Sequence, residues 1–451
     1  MAPRKPRPEH IAVRMYQVGF GDCFLLSVRY PKPLADGRAE RHVLIDFGST
    51  HSPLSHKVDM ADIAEQIADD CGGRLDVMVV THRHKDHLSG FANDEAAATV
   101  DSLRPGLIVR PWTETPDLHA DAAAPVGAAS RRLLTGLSEG HAFAGQLAAA
   151  IGDKGGGLRD RVRKLADEQL KNAEAIARLD MWAEQADSEY LHAGMASKME
   201  DVVPGMSVEV LGPPTVEQHP DVVNARARNP EYWMLYQGFV ASGLPNATLD
   251  PDDHDPDGGA DPELAGATEE EAFAAGTATL ERDIPAGPAR WLATRLRNQQ
   301  VHSLKRIVRS LDDALNNTSL ILALTIGHKR LLFPGDGQIE NWRYTLDRLP
   351  KDKALGKRLR SVDLYKVGHH GSRNATPRSL LDLWGDDHRP ASLLSTRTDA
   401  HGDSEATAVP RATLVSALKE RTDFHSTEGL AKGATVVLET DVAAGERFSR
   451  V

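Results

Sequence analysis

The chain has 451 residues, a net charge of −12 at neutral pH, and 41% hydrophobic and 26% charged residues. These proportions are ordinary for a globular protein, and the length exceeds one average domain. No apolar run approaches the roughly 18 residues that a membrane span needs, and residues 1–8 are basic and proline-rich, unlike a signal peptide. The two cysteines, Cys23 and Cys71, imply no disulfide framework, so we expect a soluble cytoplasmic protein that does not act in the membrane.

Strand signals occur toward both ends of the chain, and helical signals occupy most of the middle. The pattern predicts a hairpin from strands 11–18 and 23–28, followed by a strand over 42–46, a helix over 60–70 and a buried strand over 75–80. Helical sequence then runs over about 93–200, most clearly at 158–186, before a strand over 206–213. A basic-faced helix over 288–313 precedes strands at 319–324, 330–334 and 364–367.

Residues 250–271 account for most of the net charge. This segment has ten acidic residues and no lysine or arginine, and it is interrupted by proline and glycine. Such a composition predicts an exposed, disordered loop and not a calcium site, because its aspartates lack the calcium-loop spacing. The acidity of the whole chain therefore does not argue against an anionic substrate, which responds to the local field of its site.

A His-x-His-x-Asp-His motif follows the predicted strand over 75–80. His82 and His84 are two residues apart at a strand end, so an extended backbone places their side chains on the same side. Asp86 and His87 come next, where the chain turns toward a helix. Two imidazoles for one ion, and a carboxylate with an imidazole for its neighbour, predict a dinuclear metal site and not merely a polar loop.

Other polar residues also follow predicted strands. Asp336 ends a hydrophobic strand between two glycines, and by itself it is equally well explained as a turn residue or a helix N-cap. His369 and His370 form a pair between glycines at another strand end, which packing explains poorly, and Asp46 ends a third strand. Because ligands converge at strand ends along one edge of layered α/β folds, these residues and the histidine motif are expected to share one site.

The residues at these positions resemble the metallo-β-lactamase fold superfamily of metal-dependent hydrolases, and within it the branch typified by the hydrolase domain of the competence protein ComEC. The matching segments are residues 19–22 with 25–26, 45–48, 81–87, 316–320, 333–336 and 366–372. The resemblance implies an α/β protein with a four-layer αββα sandwich over residues 10–451. Large, mainly helical insertions at about 99–202 and 214–314, the second containing the acidic loop, are not explained by it.

The resemblance also implies a set of ligands. His82 and His84 would bind one divalent ion, Asp86 and His87 the other, and Asp336 would bridge them. His369 is the preferred final ligand, with His370 as a substrate contact or alternate ligand, and Asp46 would hold a ligating histidine in place. Many members of the superfamily supply one more histidine between the motif and the bridging aspartate, and here no such histidine is evident. The first ion would then have only His82, His84 and Asp336 as protein ligands, so one or two ions are expected. Zinc suits the imidazoles, and manganese is the alternative.

The mechanism that follows uses a metal-activated hydroxide, with Asp86, Asp336 and His370 as catalytic residues. The substrate-binding candidates are Asn317, Ser319, Lys366, Ser372 and Arg373. The side chains of Lys366 and Arg373 would favour an anionic substrate, but each is equally well explained as a surface charge. The leading prediction is a phosphodiesterase or nuclease, with nucleic acid or a nucleotide as partner. A hydrolase of small carbonyl esters, lactones or thioesters and a non-catalytic binding or regulatory protein remain as alternatives.

Overall fold

The computed structural model of the chain describes residues 6–115, 172–219, 315–374, 376–385, 387–400 and 408–451. These residues all belong to one compact unit. The predicted acidic loop and the predicted helix over 288–313 lie outside the described residues, as does much of the predicted helix over 158–186.

The described part of the chain contains fourteen strands and nine helices. The strands are β1 (His10–Tyr16), β2 (Cys23–Arg29), β3 (Glu40–Phe47), β4 (Val77–Val79), β5 (Leu107–Pro111), β6 (Asp187–Leu191), β7 (Met206–Gly212), β8 (Ile321–Ile326), β9 (Lys329–Phe333), β10 (Leu364–Lys366), β11 (Ala391–Leu394), β12 (Asp423–Ser426), β13 (Thr435–Asp441) and β14 (Ser449–Arg450). The helices are α1 (Met60–Asp70), α2 (Lys85–Ala92), α3 (Asp94–Ser102), α4 (Ala173–Gln185), α5 (Met199–Val202), α6 (Ile339–Leu346), α7 (Lys353–Arg360), α8 (Arg378–Leu381) and α9 (Ala412–Arg421), with 3₁₀ turns at Trp112–Glu114 and His369–Gly371.

The strands form two mixed sheets. The first has the order β14-β13-β1-β2-β3-β4-β5-β6, and the second has the order β12-β11-β10-β9-β8-β7. In the first sheet β1, β2, β3 and β13 pair antiparallel, whereas β3 through β6 are parallel neighbours. In the second, β7, β8 and β9 pair antiparallel and β9 through β12 are parallel. The predicted α/β class is confirmed.

Alternation along the strands divides the core into three clusters. Val43 and Ile45 of β3 belong to a cluster to which both sheets contribute, whereas Leu44 between them packs with residues of α1 through α4. In the second sheet Leu331 belongs to the shared cluster, and its neighbour Leu332 packs with residues of α6 through α9. Successive side chains of a strand point to opposite faces, so each sheet has both of its faces buried. Each fully buried aliphatic side chain contributes about 1.5–3 kcal/mol.

Most predicted elements agree with the structure, and α1 agrees at both ends. Its N-cap is Asp59, whose carboxylate accepts a hydrogen bond from the Ala61 N–H at 3.0 Å. The interpretation of residues 99–202 as a helical insertion is wrong in part, because β5 and β6 lie within it and extend the first sheet. The sequence signal was ambiguous, since a short apolar run such as β5 fits a buried strand or a buried helix equally well. Among the described residues, none of the helices has the length and apolarity to cross a membrane.

Candidate metal centre

The predicted site residues lie at the carboxyl ends of strands from both sheets. Asp46 is near the end of β3 and His82 follows β4, while Asp336 follows β9 and His370 follows β10. The two strands of each pair are parallel neighbours, so their carboxyl ends share one edge of their sheet. A hydrogen bond of 2.9 Å from the Leu320 N–H to the Thr81 carbonyl oxygen ties the two edges together.

The histidine motif spans the change from strand to helix. The backbone remains extended through His84, which has φ −68° and ψ 151° and immediately precedes α2. Asp86 and His87 are therefore in the first turn of α2, and the His87 N–H donates to the His84 carbonyl oxygen at 3.0 Å. The position of Asp86 is also favourable for a carboxylate, because the amino end of a helix carries partial positive charge.

Two glycines of the matching segments allow the backbone segments of the site to meet. A Cβ atom on Gly48 would lie 2.5–2.7 Å from backbone atoms of residues 86–88 in α2. Gly335 has φ +54°, and a Cβ atom there would lie 2.8 Å from the Cβ of Thr81. A larger residue at Gly48 would thus push the first turn of α2, with Asp86 and His87, out of position.

Four side chains converge into one group of potential metal ligands: Asp86, His87, Asp336 and His370, whose ligand atoms all lie within 4.8 Å of one another. His370 Nε2 is 3.0 Å from Asp86 Oδ2 and 3.6 Å from Asp336 Oδ2. His87 Nε2 is 3.1 Å from Asp336 Oδ2 and 3.9 Å from Asp86 Oδ1. Each imidazole therefore faces both carboxylates.

The outer ring nitrogens of these two histidines are already engaged. His87 Nδ1 is 2.8 Å from Asp46 Oδ2, and His370 Nδ1 is 3.0 Å from the Ser395 carbonyl oxygen. Both partners are acceptors, so each Nδ1 carries the proton. In the neutral imidazole the Nε2 lone pair then faces a carboxylate, and this contact is favourable only with a second proton or a cation between them.

The pKa values of the group reflect this close contact between imidazoles and carboxylates. Burial opposes the charged form of His87, but the Asp336 and Asp46 carboxylates raise its pKa well above the usual value. The pKa of His370 is likewise raised, since Asp336 and Asp22 outweigh burial. Burial also opposes ionisation of Asp86 and Asp336, yet the nearby histidines, together with Lys366 for Asp336, lower the pKa of both. The buried histidines and aspartates thus form a group able to hold a metal ion.

His370, and not the preferred His369, joins this group. Both residues have left-handed backbone conformations, with φ 42° for His369 and φ 49° for His370. This turn directs the ring of His370 into the interior, where it stacks at 4.2 Å between centroids against Phe20. His369 remains half-buried and contributes its backbone N–H, which donates to Asp336 Oδ1 at 3.0 Å. The group thus contains His370, whereas the sequence analysis preferred His369 as the ligand.

His82 and His84 form a buried pair beside the group. Their ring centroids are 4.7 Å apart, and the ring of His82 is 4.2 Å from that of His87. Burial, followed by the neighbouring histidines, lowers the pKa of His82 well below its usual value, and burial also lowers that of His84. The Thr81 hydroxyl oxygen lies 3.2 Å from His82 Nδ1, while the buried Nε2 has no hydrogen-bond partner. A neutral imidazole with an unpartnered nitrogen has the chemistry of a zinc ligand.

Asp46 contacts both the start of the histidine motif and His87. It is 1% exposed, and its carboxylate accepts the Thr81 N–H and the Thr81 O–H, each at 2.7 Å, as well as the His87 Nδ1–H. One carboxylate thereby holds the start of the motif and fixes the tautomer of His87. Such support conserves the orientation and basicity of a ligating imidazole.

Lys366 does not lie where a substrate contact is expected. It is 2% exposed, and its ammonium donates to the Gly335 carbonyl oxygen at 2.9 Å and to Asp336 Oδ1 at 3.2 Å, and forms an ion pair with Asp22. Burial opposes its charge, but Asp22 and Asp336 raise the pKa of Lys366. The geometry thus corrects its predicted role: Lys366 orients Asp336 from within.

Two residues of the centre were not assigned by sequence reasoning. Asp22 is completely buried and belongs to the Gly-Phe-Gly-Asp segment, whose place between two strands was the available signal. Ser395 follows β11, and the rule that strand ends converge applies to it as well. Ser395 contacts His370 through its backbone carbonyl oxygen, and because every residue has such an oxygen, the residue type gives no signal.

The remaining predicted substrate residues differ in their burial and in their hydrogen-bond partners. Ser319 accepts the Asp336 N–H at 3.3 Å, and Ser372 donates to Asn374 Oδ1 at 2.9 Å, so both hydroxyls have internal partners. Asn317 is completely buried, with no hydrogen-bond partner for either side-chain atom. Arg373 is half-buried.

Comparison of the sequence with protein-family models found no match, and neither did comparison with curated proteins. The interpretation of the centre therefore depends on its geometry and on the residues of its motifs.

Proposed function

We propose that the protein is a metal-dependent hydrolase of the metallo-β-lactamase fold, with Asp86, His87, Asp336 and His370 as ligands of one ion. The observation that carries the proposal is that two buried imidazoles present their Nε2 atoms to carboxylates while their Nδ1 atoms are held by acceptors. A divalent cation satisfies all four groups at once. His82 and His84 would hold a second ion.

The architecture supports a four-layer αββα sandwich. One core cluster is shared by the two sheets, and the opposite face of each sheet packs against helices. The strand ends that carry the ligands belong to both sheets, which agrees with a site at one edge of such a sandwich. Membership in the ComEC-like branch is proposed from the motifs.

The chain's own residues then divide the work. A bound divalent ion supplies Lewis acidity and lowers the pKa of a water ligand to about 7. Imidazole ligands favour zinc, and the carboxylates make manganese the alternative. Because their pKa values are low, Asp86 and Asp336 act as ligands and as hydrogen-bond acceptors that orient the attacking water, not as strong bases.

We propose a phosphodiester as the substrate, in a nucleic acid or a nucleotide. Support comes from the ComEC-like motifs; Lys366 adds none, because it is buried between Asp22 and Asp336. The predicted basic helix over 288–313 lies outside the described residues. Of the predicted helical stretch over 158–186, the structure describes residues 172–186 only.

The test combines metal analysis with a substrate panel. Purified protein is assayed for zinc and manganese, and then, metal by metal, for hydrolysis of bis-p-nitrophenyl phosphate, lactones, thioesters, and single- and double-stranded DNA and RNA. Asp336→Asn removes a ligand, and Asp441→Asn, at an exposed ion pair with His10, is the matched control.

We expect phosphodiester cleavage that chelation abolishes, that zinc or manganese restores, and that Asp336→Asn alone loses. Turnover of lactones or thioesters with inert phosphodiesters would establish the alternative substrate class. A fully metal-loaded but inert protein would support the non-catalytic alternative, and a protein that binds no metal would refute the proposal.

A further inference from the structure

Arg83, the residue between His82 and His84, is held at both its side chain and its backbone. Its guanidinium donates two hydrogen bonds to the Glu114 carboxylate, from Nε at 2.8 Å and from Nη2 at 2.7 Å. Its carbonyl oxygen accepts a hydrogen bond from the side-chain amide of Asn172. The two hydrogen bonds to Glu114 fix the plane of the Arg83 guanidinium as well as its distance from the carboxylate.

The acceptor is itself rigid. Glu114 is 5% exposed and also lies 3.3 Å from Nη2 of Arg110, whose guanidinium forms a second ion pair with Asp180 of α4. Arg110 is in β5, next to β4 in the sheet, and is 2% exposed. The partner of Arg83 is therefore anchored to the same sheet that carries the histidine motif.

The histidines of the centre differ in how they are oriented. His87 and His370 each have an acceptor, Asp46 or the Ser395 carbonyl, at a distance of 2.8–3.0 Å from Nδ1. For His82 the corresponding partner is the Thr81 hydroxyl oxygen at the longer distance of 3.2 Å. The direction of this ring thus depends more on the backbone, and the backbone between His82 and His84 is what Arg83 holds.

We propose that Arg83 and Glu114 are a positioning pair that sets the geometry of His82 and His84 for their metal ion. The inference rests on the proposed function in taking these two histidines as metal ligands. It goes beyond that function, because it gives His82 and His84 a support that His87 and His370 do not share: the Arg83–Glu114 pair, in addition to the contacts of Asp46 with Thr81 and His87.

The experiment measures zinc affinity directly, without a substrate. Metal-free wild type, Arg83→Met, Arg83→Lys and Glu114→Gln are titrated with Zn²⁺ against a chromophoric chelator. Arg358→Met is the matched control, because Arg358 makes an equivalent bidentate pair with Glu209 at 2.8–2.9 Å, between α7 and β7. His84→Ala identifies which of the binding steps involves the histidine pair, and circular dichroism verifies folding.

We expect Arg83→Met to weaken the step that His84→Ala also affects by about 10–100-fold, the usual range for residues that orient a ligand. The zinc affinity of the other binding step should be unchanged, and Arg358→Met should bind zinc as wild type does at both steps. Arg83→Lys should be intermediate, since an ammonium keeps the charge but loses the two-point contact. Glu114→Gln should reproduce the effect with the shape of the side chain retained.

Each contrary result identifies what fails. If wild type binds zinc but Arg83→Met and Glu114→Gln bind it equally well at both steps, the positioning pair is refuted and the metal centre stands. Zinc binding that His84→Ala leaves unaltered also refutes the inference. If wild type binds no zinc or manganese, the proposed function itself fails. Should Arg83→Met not fold, Glu114→Gln decides.

Discussion

Replacement of Asp46 by asparagine should weaken metal binding through the tautomer of His87. The substitution adds little backbone strain, because Asp46 has φ 57° and asparagine tolerates this left-handed conformation. The carboxylate accepts three hydrogen bonds, two from Thr81 and one from His87 Nδ1. An amide offers one oxygen, so its NH₂ group must face at least one of these donors.

The structure determines which donor suffers. If the amide oxygen keeps the Thr81 N–H, the NH₂ group faces the Thr81 hydroxyl, which can rotate, and His87 Nδ1, which cannot. His87 then moves its proton to Nε2, the atom 3.1 Å from Asp336 Oδ2 and the proposed ligand atom. Loss of one hydrogen bond to a charged group costs about 2 kcal/mol, which corresponds to an affinity about 30-fold lower.

The assay is a zinc titration of metal-free protein, with urea unfolding to measure stability separately. Asp76→Asn is the control: Asp76 is also buried, accepts the His42 N–H at 2.9 Å and pairs with Arg38, but lies before β4, at the end away from the motif. It should lose stability and keep its zinc affinity. If Asp46→Asn folds and binds zinc as tightly as wild type, the tautomer argument is wrong; if both variants weaken binding equally, the effect is general destabilisation.

Three further predictions concern the same centre. His370→Ala should lower zinc affinity, whereas His369→Ala should leave it nearly unchanged, and equal losses in the same titration would contradict the assignment of the ligand. Because the pKa values of His87 and His370 are raised, zinc must displace protons: binding near pH 7 should release protons and strengthen as pH rises, measured by calorimetry in buffers of different ionisation enthalpy, and no release would contradict the shifts. Gly48→Ala should destabilise the protein by about 1–3 kcal/mol in urea unfolding, because the added methyl group would meet the backbone of α2. Gly356→Ala in α7, where no atom lies near the added methyl group, should be neutral or stabilising. Equal effects of the two substitutions would contradict the close approach of Gly48 to α2.

The sequence predicted the ligand region of the centre well because strand ends leave a strong local signal. Asp46, Asp336 and the His-x-His-x-Asp-His motif each follow or end an apolar run, and parallel strands bring such positions to one edge. The same reasoning preferred His369, whereas His370 is the residue that lies in the group. The difference between these neighbours depends on two successive residues in the left-handed conformation, and periodicity carries no information about that.

Burial of charge was also beyond local reasoning. Lys366 resembles a surface cation in the sequence, and only the packed structure shows that Asp22, some 340 residues away, and Asp336 enclose its ammonium. The interval 99–202 posed a related problem. β5 is a short apolar run and β6 a short polar one, so neither sequence identifies its conformation, which is decided by pairing of β5 with β4 and of β6 with β5.

By itself, the sequence determined the α/β class, the limits of α1 and the set of residue types able to hold a metal ion. These follow from apolar periodicity, capping and side-chain chemistry, which are local properties. Tertiary structure alone decided that His370 enters the centre, that Lys366 orients Asp336, and that Arg83 is clamped between Glu114 and Asn172. Each of these depends on distances between segments far apart in the chain, set by how two sheets pack, and no nearby residue encodes them.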